Sequence, residues 1–341
     1  MARKVCISGP SRFGLAGELL RKAGCEVILG KSIDDFPEVR YGKEELVDLI
    51  GDADVLLVPT RDKITAEVLH NCDNLQAVVK MSIGVENIDI EAASELGIFV
   101  CNSPAPENFI GLAEATVGLM VVFFKRLKFH EHHVRSGGWK EAQNRGQLML
   151  GRTVGLIGLG RVGREVAKRL QSWGLCLIGY DPYVKQDELD LLGVRLVSLE
   201  ELLRSSDLVT LHVVLTEETR HMITRTQLKM MKPAAYLINT SRGAVIREGD
   251  LVEALNERWI AGAALDVFEE EPLPMQSPLR EVDPVRLILT PHIIGNNPES
   301  LKSGQRMAVE STLSILQGKV PATVLNLVAK DRWKTRFWAE C

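Results

Sequence analysis

Residues 153–163, TVGLIGLGRVG, join a short apolar run to three glycines, Gly158, Gly160 and Gly163, and the chain continues as REVAKRLQSWG. A strand that ends in G-x-G-x-x-G and opens a helix can fold in few ways, because each glycine leaves out a side chain where another group must come close. Gly158 permits the tight turn, Gly160 admits a pyrophosphate against the backbone, and Gly163 lets the helix pack on the strand. The helix N-terminus then offers N–H groups and a partial positive charge, which suits an anion. The next β-type run, LCLIGYD, places Asp181 eighteen residues beyond Gly163. A carboxylate there accepts both ribose hydroxyls of NAD, and it would repel the 2′-phosphate of NADP. The cofactor expected from this stretch is therefore NAD. By contrast GPSRFG (9–14) lacks the Lys-Ser/Thr ending of a phosphate loop and reads as a plain loop.

The rest of the chain supplies the sheet that such a turn requires. Before residue 102, β-type runs KVCIS, EVIL, DVLLV, LQAVVKM and IFVCN alternate with helical ones, the pattern of a parallel sheet with crossover helices. A Pro-rich joint, NSPAPEN (102–108), leads into a helical stretch from about Phe109 to Val134. From Thr153 the alternation restarts through VRLV, LVTLHV, AAYLIN, IAGAALDV and LILTPH. At 341 residues the chain exceeds one ordinary core. The expected fold class is α/β, with two Rossmann-like doubly wound parallel-sheet domains and an active-site cleft between them. Residues 1–104 with 298–341 form a discontinuous, flavodoxin-like substrate domain, and residues 105–297 form the NAD-binding Rossmann domain.

Composition narrows the partners. A formal net charge of −4 gives no electrostatic reason to expect nucleic acid or an anionic membrane. The six cysteines are scattered, without the spacing of a disulfide framework or zinc site. HEHH (130–133) places only His130 and His133 on one helical face, with no third ligand evident, so no metal is expected. MARKVCISG enters a strand-like run at once, without the pattern of a secretory leader, so a cytoplasmic protein is expected.

Three stretches beyond the glycine turn carry reactive groups at strand ends: INTSRG (238–243), DVFEEEP (266–272) and TPHIIG (290–295). Hydride transfer between a C–H bond and a nicotinamide requires the attached oxygen to exchange a proton, and a histidine near neutrality does this best. His292 is the candidate, with Glu271 to fix its tautomer and favour the imidazolium. Arg242 offers a planar fork for a substrate carboxylate and polarises the adjacent carbonyl.

These stretches, with GLGRVG, Asp181, SIGVENID (82–89) and NSPAPENFIGLAEATVGLM (102–120), resemble the D-isomer-specific 2-hydroxyacid dehydrogenase family, which includes phosphoglycerate dehydrogenases and glyoxylate/hydroxypyruvate reductases. The resemblance runs from about residue 50 to 327. It implies Arg242, Glu271 and His292 as the catalytic set. It also implies cofactor contacts at Arg161, Val162, Asp181, Val213, Thr240 and Asp266, and a substrate-carboxylate loop at Ser82, Ile83 and Gly84. It implies a small-molecule 2-hydroxy or 2-oxo acid as partner and a homodimer joined through the cofactor domain, with the helix after Asn108 at the interface. Three positions depart from the family pattern. Ser82 replaces a common glycine and Val214 a common proline. Pro59 stands where phosphoglycerate enzymes often carry a phosphate-binding arginine, with Arg61 two residues on. A second reading is an NADH-sensing dimeric corepressor on the same fold, which the absence of long flanking disordered segments disfavours. The tail DRWKTRFWAEC (331–341), with Trp333 and Phe337 at helical spacing, is expected to dock on its own domain or on the dimer mate, with a membrane-surface or partner helix as the alternative.

Overall fold

Val55–Val58 and Ala77–Lys80 are buried at every position, as strands must be when a parallel sheet is covered on both faces. The computed structural model describes residues 3–10, 14–34 and 40–338, so Ser11–Phe13 of the GPSRFG stretch and Cys341 lie outside the described residues. In chain order the first elements are β1 (Lys4–Ile7), α1 (Leu15–Lys22), β2 (Glu26–Leu29), α2 (Lys43–Ile50), β3 (Val55–Val58), α3 (Ala66–His70), β4 (Ala77–Lys80), α4 (Ile90–Glu95) and β5 (Phe99–Cys101). There follow α5 (Pro106–Phe124), α6 (Leu127–Arg135), β6 (Thr153–Ile157), α7 (Arg161–Leu170), β7 (Cys176–Tyr180), β8 (Val194–Leu196), α8 (Leu199–Ser205), β9 (Leu208–Leu211) and α9 (Arg225–Met230). The last are β10 (Tyr236–Asn239), α10 (Glu248–Asn256), β11 (Gly262–Leu265), β12 (Leu287–Leu289), α11 (Pro298–Leu316) and α12 (Lys330–Phe337).

The chain divides into two compact units, Met1–Asn108 with Asn297–Cys341, and Phe109–Asn296. The first holds a five-stranded sheet in the order β2-β1-β3-β4-β5, and the second a seven-stranded sheet in the order β12-β11-β10-β9-β6-β7-β8. The strand pairings in both sheets are parallel. Strand order reverses at β1 in one and at β6 in the other, which opens a crevice at the carboxyl ends of those strands.

The helical stretch expected from Phe109 to Val134 is two helices. Arg126 takes φ +52°, a left-handed conformation that a right-handed helix cannot pass through, so α5 stops and α6 begins beyond it. Its guanidinium lies 4.2 Å from the Phe129 ring centroid, which anchors the bend. By length and composition α5 is apolar enough to cross a membrane. Its Ala113, Met120 and Phe124 are fully buried with Val154 and Leu156 of β6 in one core, and Phe123 stacks on Tyr236 at 4.6 Å.

The tail docks on its own unit. Trp333 of α12 is fully buried and stacks on Phe99 of β5 at 4.6 Å. Arg332 and Arg336 donate to the carbonyls of Glu95 and Leu96, at the C-terminal end of α4, where backbone acceptors lack helical partners. Trp333→Ala is expected to destabilise the first unit by about 3–5 kcal/mol, as large-to-small changes of buried tryptophan do. Chemical denaturation followed by circular dichroism measures this, and NADH binding to the second unit should be unchanged.

Candidate active site

In the second unit the three glycines do three different things. Gly158 has φ +90°, and a Cβ there would lie 2.6 Å from the His212 carbonyl oxygen. A Cβ at Gly163 would overlap the Gly158 carbonyl, so helix and turn pack without room for a side chain. Gly160 has open space around it, and as N-cap of α7 it leaves the helix N-terminus without a side-chain cap. That bare, electropositive end is where a pyrophosphate fits. Asp181, at the end of β7, accepts the Leu159 N–H through Oδ2 (2.8 Å) and the Tyr183 N–H through Oδ1 (2.9 Å). Both oxygens are thus oriented by the turn, and each keeps acceptor capacity for a ribose hydroxyl. Val213 packs beside Gly158, and Val162 lies against the core formed by β6 and α5. Arg161 lies over the Phe109 ring at 5.0 Å. Thr240 is buried, its hydroxyl 3.3 Å from that of Thr116 on α5. The residues present therefore fit a dinucleotide.

Arg242, Glu271 and His292 come together at the carboxyl ends of β10, β11 and β12. Asn239, the last residue of β10, accepts the Ser241 N–H (3.0 Å) and hydroxyl (2.8 Å) and donates to the Arg242 carbonyl (2.9 Å). This closed turn fixes the backbone from which the Arg242 guanidinium extends. A Cβ at Gly243 would overlap the Phe268 carbonyl, so the Arg242 turn presses directly on the loop that carries Glu271.

Glu271 is held at both oxygens. Oε1 accepts the Phe268 N–H at 3.0 Å, and Oε2 meets His292 Nδ1 at 2.7 Å. Burial tends to raise the Glu271 carboxyl, but the hydrogen bonds from His292 and Phe268 and the charges of His292 and Arg242 outweigh it, and its pKa is lowered. For His292 the hydrogen bond to Glu271 dominates over burial and raises the imidazole above its ordinary value. The ring is 47% exposed, so with Nδ1 on Glu271 its Nε2 is the nitrogen left for another group. His292 sits at φ +52°, a conformation that costs a non-glycine residue energy and persists only where neighbours impose it. Here Asp266 imposes it, accepting the Thr290 hydroxyl (2.6 Å) and the N–H groups of Ile293 (3.1 Å) and Ile294 (3.3 Å). Asp266, expected from the resemblance to lie near the nicotinamide amide, thus anchors the histidine loop with these bonds.

In the first unit, Ser82, Ile83 and Gly84 follow β4. The Ser82 carbonyl accepts the Ser103 N–H (2.9 Å), and that of Ile83 accepts Asn102 Nδ2 (3.0 Å). No N–H from Ser82 to Val85 donates to another described residue. The Ser82 and Ile83 carbonyls are thus tied to the segment after β5, and the N–H groups of the loop are not drawn into that pairing. Arg61 is tied elsewhere: it pairs with Asp62 at 2.9 Å and donates to the carbonyls of Ser8 and Lys31. The residues that sequence reasoning missed are Asn239, Ser241, Gly243, Thr290 and Asn102. All lie in the stretches it singled out, but their roles depend on which atoms they meet.

The sequence profile described as "D-isomer specific 2-hydroxyacid dehydrogenase, NAD binding domain" matches residues 117–293, more than half of the chain. The chain belongs to the D-isomer-specific 2-hydroxyacid dehydrogenase family. It is 41% identical over 286 residues to D-3-phosphoglycerate dehydrogenase of Methanocaldococcus jannaschii, covering 84% of this chain and 54% of that one, so it spans about half the length of that relative. It is 39% identical over 315 residues to glyoxylate reductase of Thermofilum pendens, covering 91% of each. The D-lactate dehydrogenase of Aquifex aeolicus, solved with NAD and lactic acid, superposes with a TM-score of 0.81 at 28% identity over 95% of this chain and 99% of that one. As a member of the D-isomer-specific 2-hydroxyacid dehydrogenase family the chain takes NAD, and its reaction class is the interconversion of 2-hydroxy and 2-oxo acids. Gly243→Ala is expected to force the Arg242 and Glu271 loops apart and to lower kcat/KM about 100-fold, the usual cost of a displacement near 1 Å. Steady-state kinetics measures this, and NADH affinity should stay within about twofold.

Proposed function

We propose that this chain reduces a small unphosphorylated 2-oxo acid, of the size of glyoxylate or hydroxypyruvate, to its D-2-hydroxy acid with NADH in the cytoplasm. The observation that carries the reading is the Glu271–His292 pair beside Arg242, with one imidazole nitrogen left open. NADH held by the Gly158–Gly163 turn supplies the hydride to the carbonyl carbon. His292 Nε2 donates the proton that the carbonyl oxygen needs as it becomes a hydroxyl, and Glu271 holds Nδ1–H and stabilises the imidazolium. Arg242 binds the substrate carboxylate and draws electron density from the carbonyl. Ser82, Ile83 and Gly84 are the loop of the first unit that would offer N–H donors to a substrate carboxylate. The preference for an unphosphorylated substrate is supported by Arg61, whose guanidinium is already engaged with Asp62 and two carbonyls.

A homodimer joined through the second unit belongs to the same proposal. What supports it is apolar surface on that unit: Leu127, Val134, Trp139, Leu148 and Leu150 are all exposed, more than a monomer usually leaves bare along one chain segment. Sedimentation should give twice the chain mass of 37.8 kDa, and Trp139→Asp should shift the equilibrium toward monomer.

His292→Gln is expected to lower kcat about 10²–10⁴-fold while leaving NADH affinity unchanged. The pH dependence follows from the direction of the shifts. Reduction needs the imidazolium, which the raised pKa preserves above pH 6.5, so the rate stays flat through that value and falls only as pH passes the folded pKa. Oxidation of the hydroxy acid needs the neutral ring and rises over the same range. Glu271→Gln removes the main cause of the shift and should move both midpoints to lower pH. A panel of 2-oxo acids with NADH tests the whole reading, and absence of turnover with every one, despite tight NADH binding, would overturn it.

A further inference from the structure

Lys80, the last residue of β4, is wholly buried, and its Nζ donates to Asn87 Oδ1 at 2.6 Å. The two residues bracket positions 81–86, so this bond closes the base of the loop that carries Ser82, Ile83 and Gly84. Asn87 in turn donates to the carbonyls of Pro59 and Asp62. The Lys80 carbonyl accepts the Ser103 hydroxyl at 2.8 Å. α11 presses on the loop as well, since a Cβ at Gly304 would lie 2.7 Å from the Met81 carbonyl oxygen.

A buried ammonium is costly unless it is paired with an opposite charge. Among the described residues Lys80 makes no ion pair, and its side-chain partner is a neutral amide. The charged groups that act on it are Glu86 of its own loop and Asp62 after β3. Asp62 is already paired with Arg61 and accepts the Ser8 hydroxyl at 2.7 Å. The other groups packed on the loop, Asn102, Ser103 and Gly304, carry no charge. Burial pushes the Lys80 ammonium down to about 8, with Glu86 and Asp62 acting in the opposite direction. In the loop itself the Ser82 and Ile83 carbonyls are engaged, and no N–H from Ser82 to Val85 donates to another described residue. An anion on this loop would sit above a buried cation that makes no direct ion pair and that closes the loop's base through Asn87.

We propose that Lys80 is the buried cation that sets the affinity of the Ser82–Gly84 loop for the substrate carboxylate, acting through the loop and without touching the substrate. The inference rests on the reading that this loop receives the carboxylate. An anion on the loop and a proton on Lys80 favour each other by the same factor. Below the pKa of the ligand-free form Lys80 is charged in both states, and affinity is flat. As pH rises past it the free form loses its charge and affinity falls, levelling off once the pKa of the bound form is also passed. For two charges several ångströms apart at a protein-like dielectric the two plateaus should differ about tenfold or more.

The test uses oxamate, an unreactive 2-oxo acid analogue, binding to the NADH complex of His292→Gln, in which the imidazole no longer titrates. Quenching of NADH fluorescence is followed from about pH 6.5 to about pH 10. The expected Kd is flat at low pH and rises about tenfold or more through the alkaline range. Adding Lys80→Met should give weak binding at every pH, without the rise. Adding Lys80→Arg, which stays charged, should keep binding tight throughout. With His292 intact, neither Lys80 variant should change kcat at saturating 2-oxo acid or the affinity for NADH, whereas KM for the 2-oxo acid should follow the oxamate Kd. A Kd that is flat with pH in the His292→Gln protein overturns the proposal, even where Lys80→Met does not fold. Oxamate binding that is unaltered by Lys80→Met but weakened by Gly84→Pro, which removes one N–H, also overturns it and leaves the loop reading standing. Unaltered binding in Gly84→Pro overturns the loop reading itself.

Discussion

The geometry of the candidate site in the second unit depends on one shared carboxylate. Glu271 takes a backbone N–H from Phe268 on one oxygen and His292 Nδ1 on the other, and neither contact is sufficient alone. Without the Phe268 bond the carboxylate could rotate, and the imidazole would lose its fixed tautomer. Without the imidazole, burial would push Glu271 toward its neutral form. The two groups therefore hold each other in the charged state. Arg242 adds a positive charge that favours the Glu271 carboxylate and opposes the imidazolium.

The constraint spreads outward through backbone packing. Gly243 must be glycine because the Phe268 carbonyl occupies the space of a Cβ, which couples the position of Arg242 to that of Glu271. Asp266 holds the loop on the other side of His292 by three bonds from Thr290, Ile293 and Ile294. Arg242, Glu271 and His292 follow three different strand ends, and these contacts tie their loops to one another.

What could be read from the sequence was what is local. The glycine turn, the strand-end aspartate and the Arg, Glu and His stretches each declare themselves within a few residues, because turn geometry and strand ends are set by near neighbours. The break at Arg126 was not legible, since nothing in the residues around it marks a left-handed conformation in the way a glycine would. The docking of Trp333 on Phe99, across more than two hundred residues of chain, was left between alternatives for the same reason. Lys80 carries no local mark of its burial. Lysine at a strand end ordinarily reaches solvent, and only the packing of β5 and α11 around it shows that here it does not.

The same device recurs in both units at different scales. At Gly160 the N–H groups of α7 are left without a cap, and in the loop after β4 carbonyls are drawn into hydrogen bonds with Asn102 and Ser103 while no N–H from Ser82 to Val85 donates to another described residue. In each case the backbone donors are left without a partner among the described residues. The helix end gains its field from aligned peptide dipoles. The loop after β4 has no such helix, and a nest of N–H groups alone is a weaker attraction for a carboxylate that must leave water. In the role proposed for Lys80, the cation closing the base of that loop supplies the missing field. Burying it keeps that field from being screened by salt, at the cost of making it sensitive to pH.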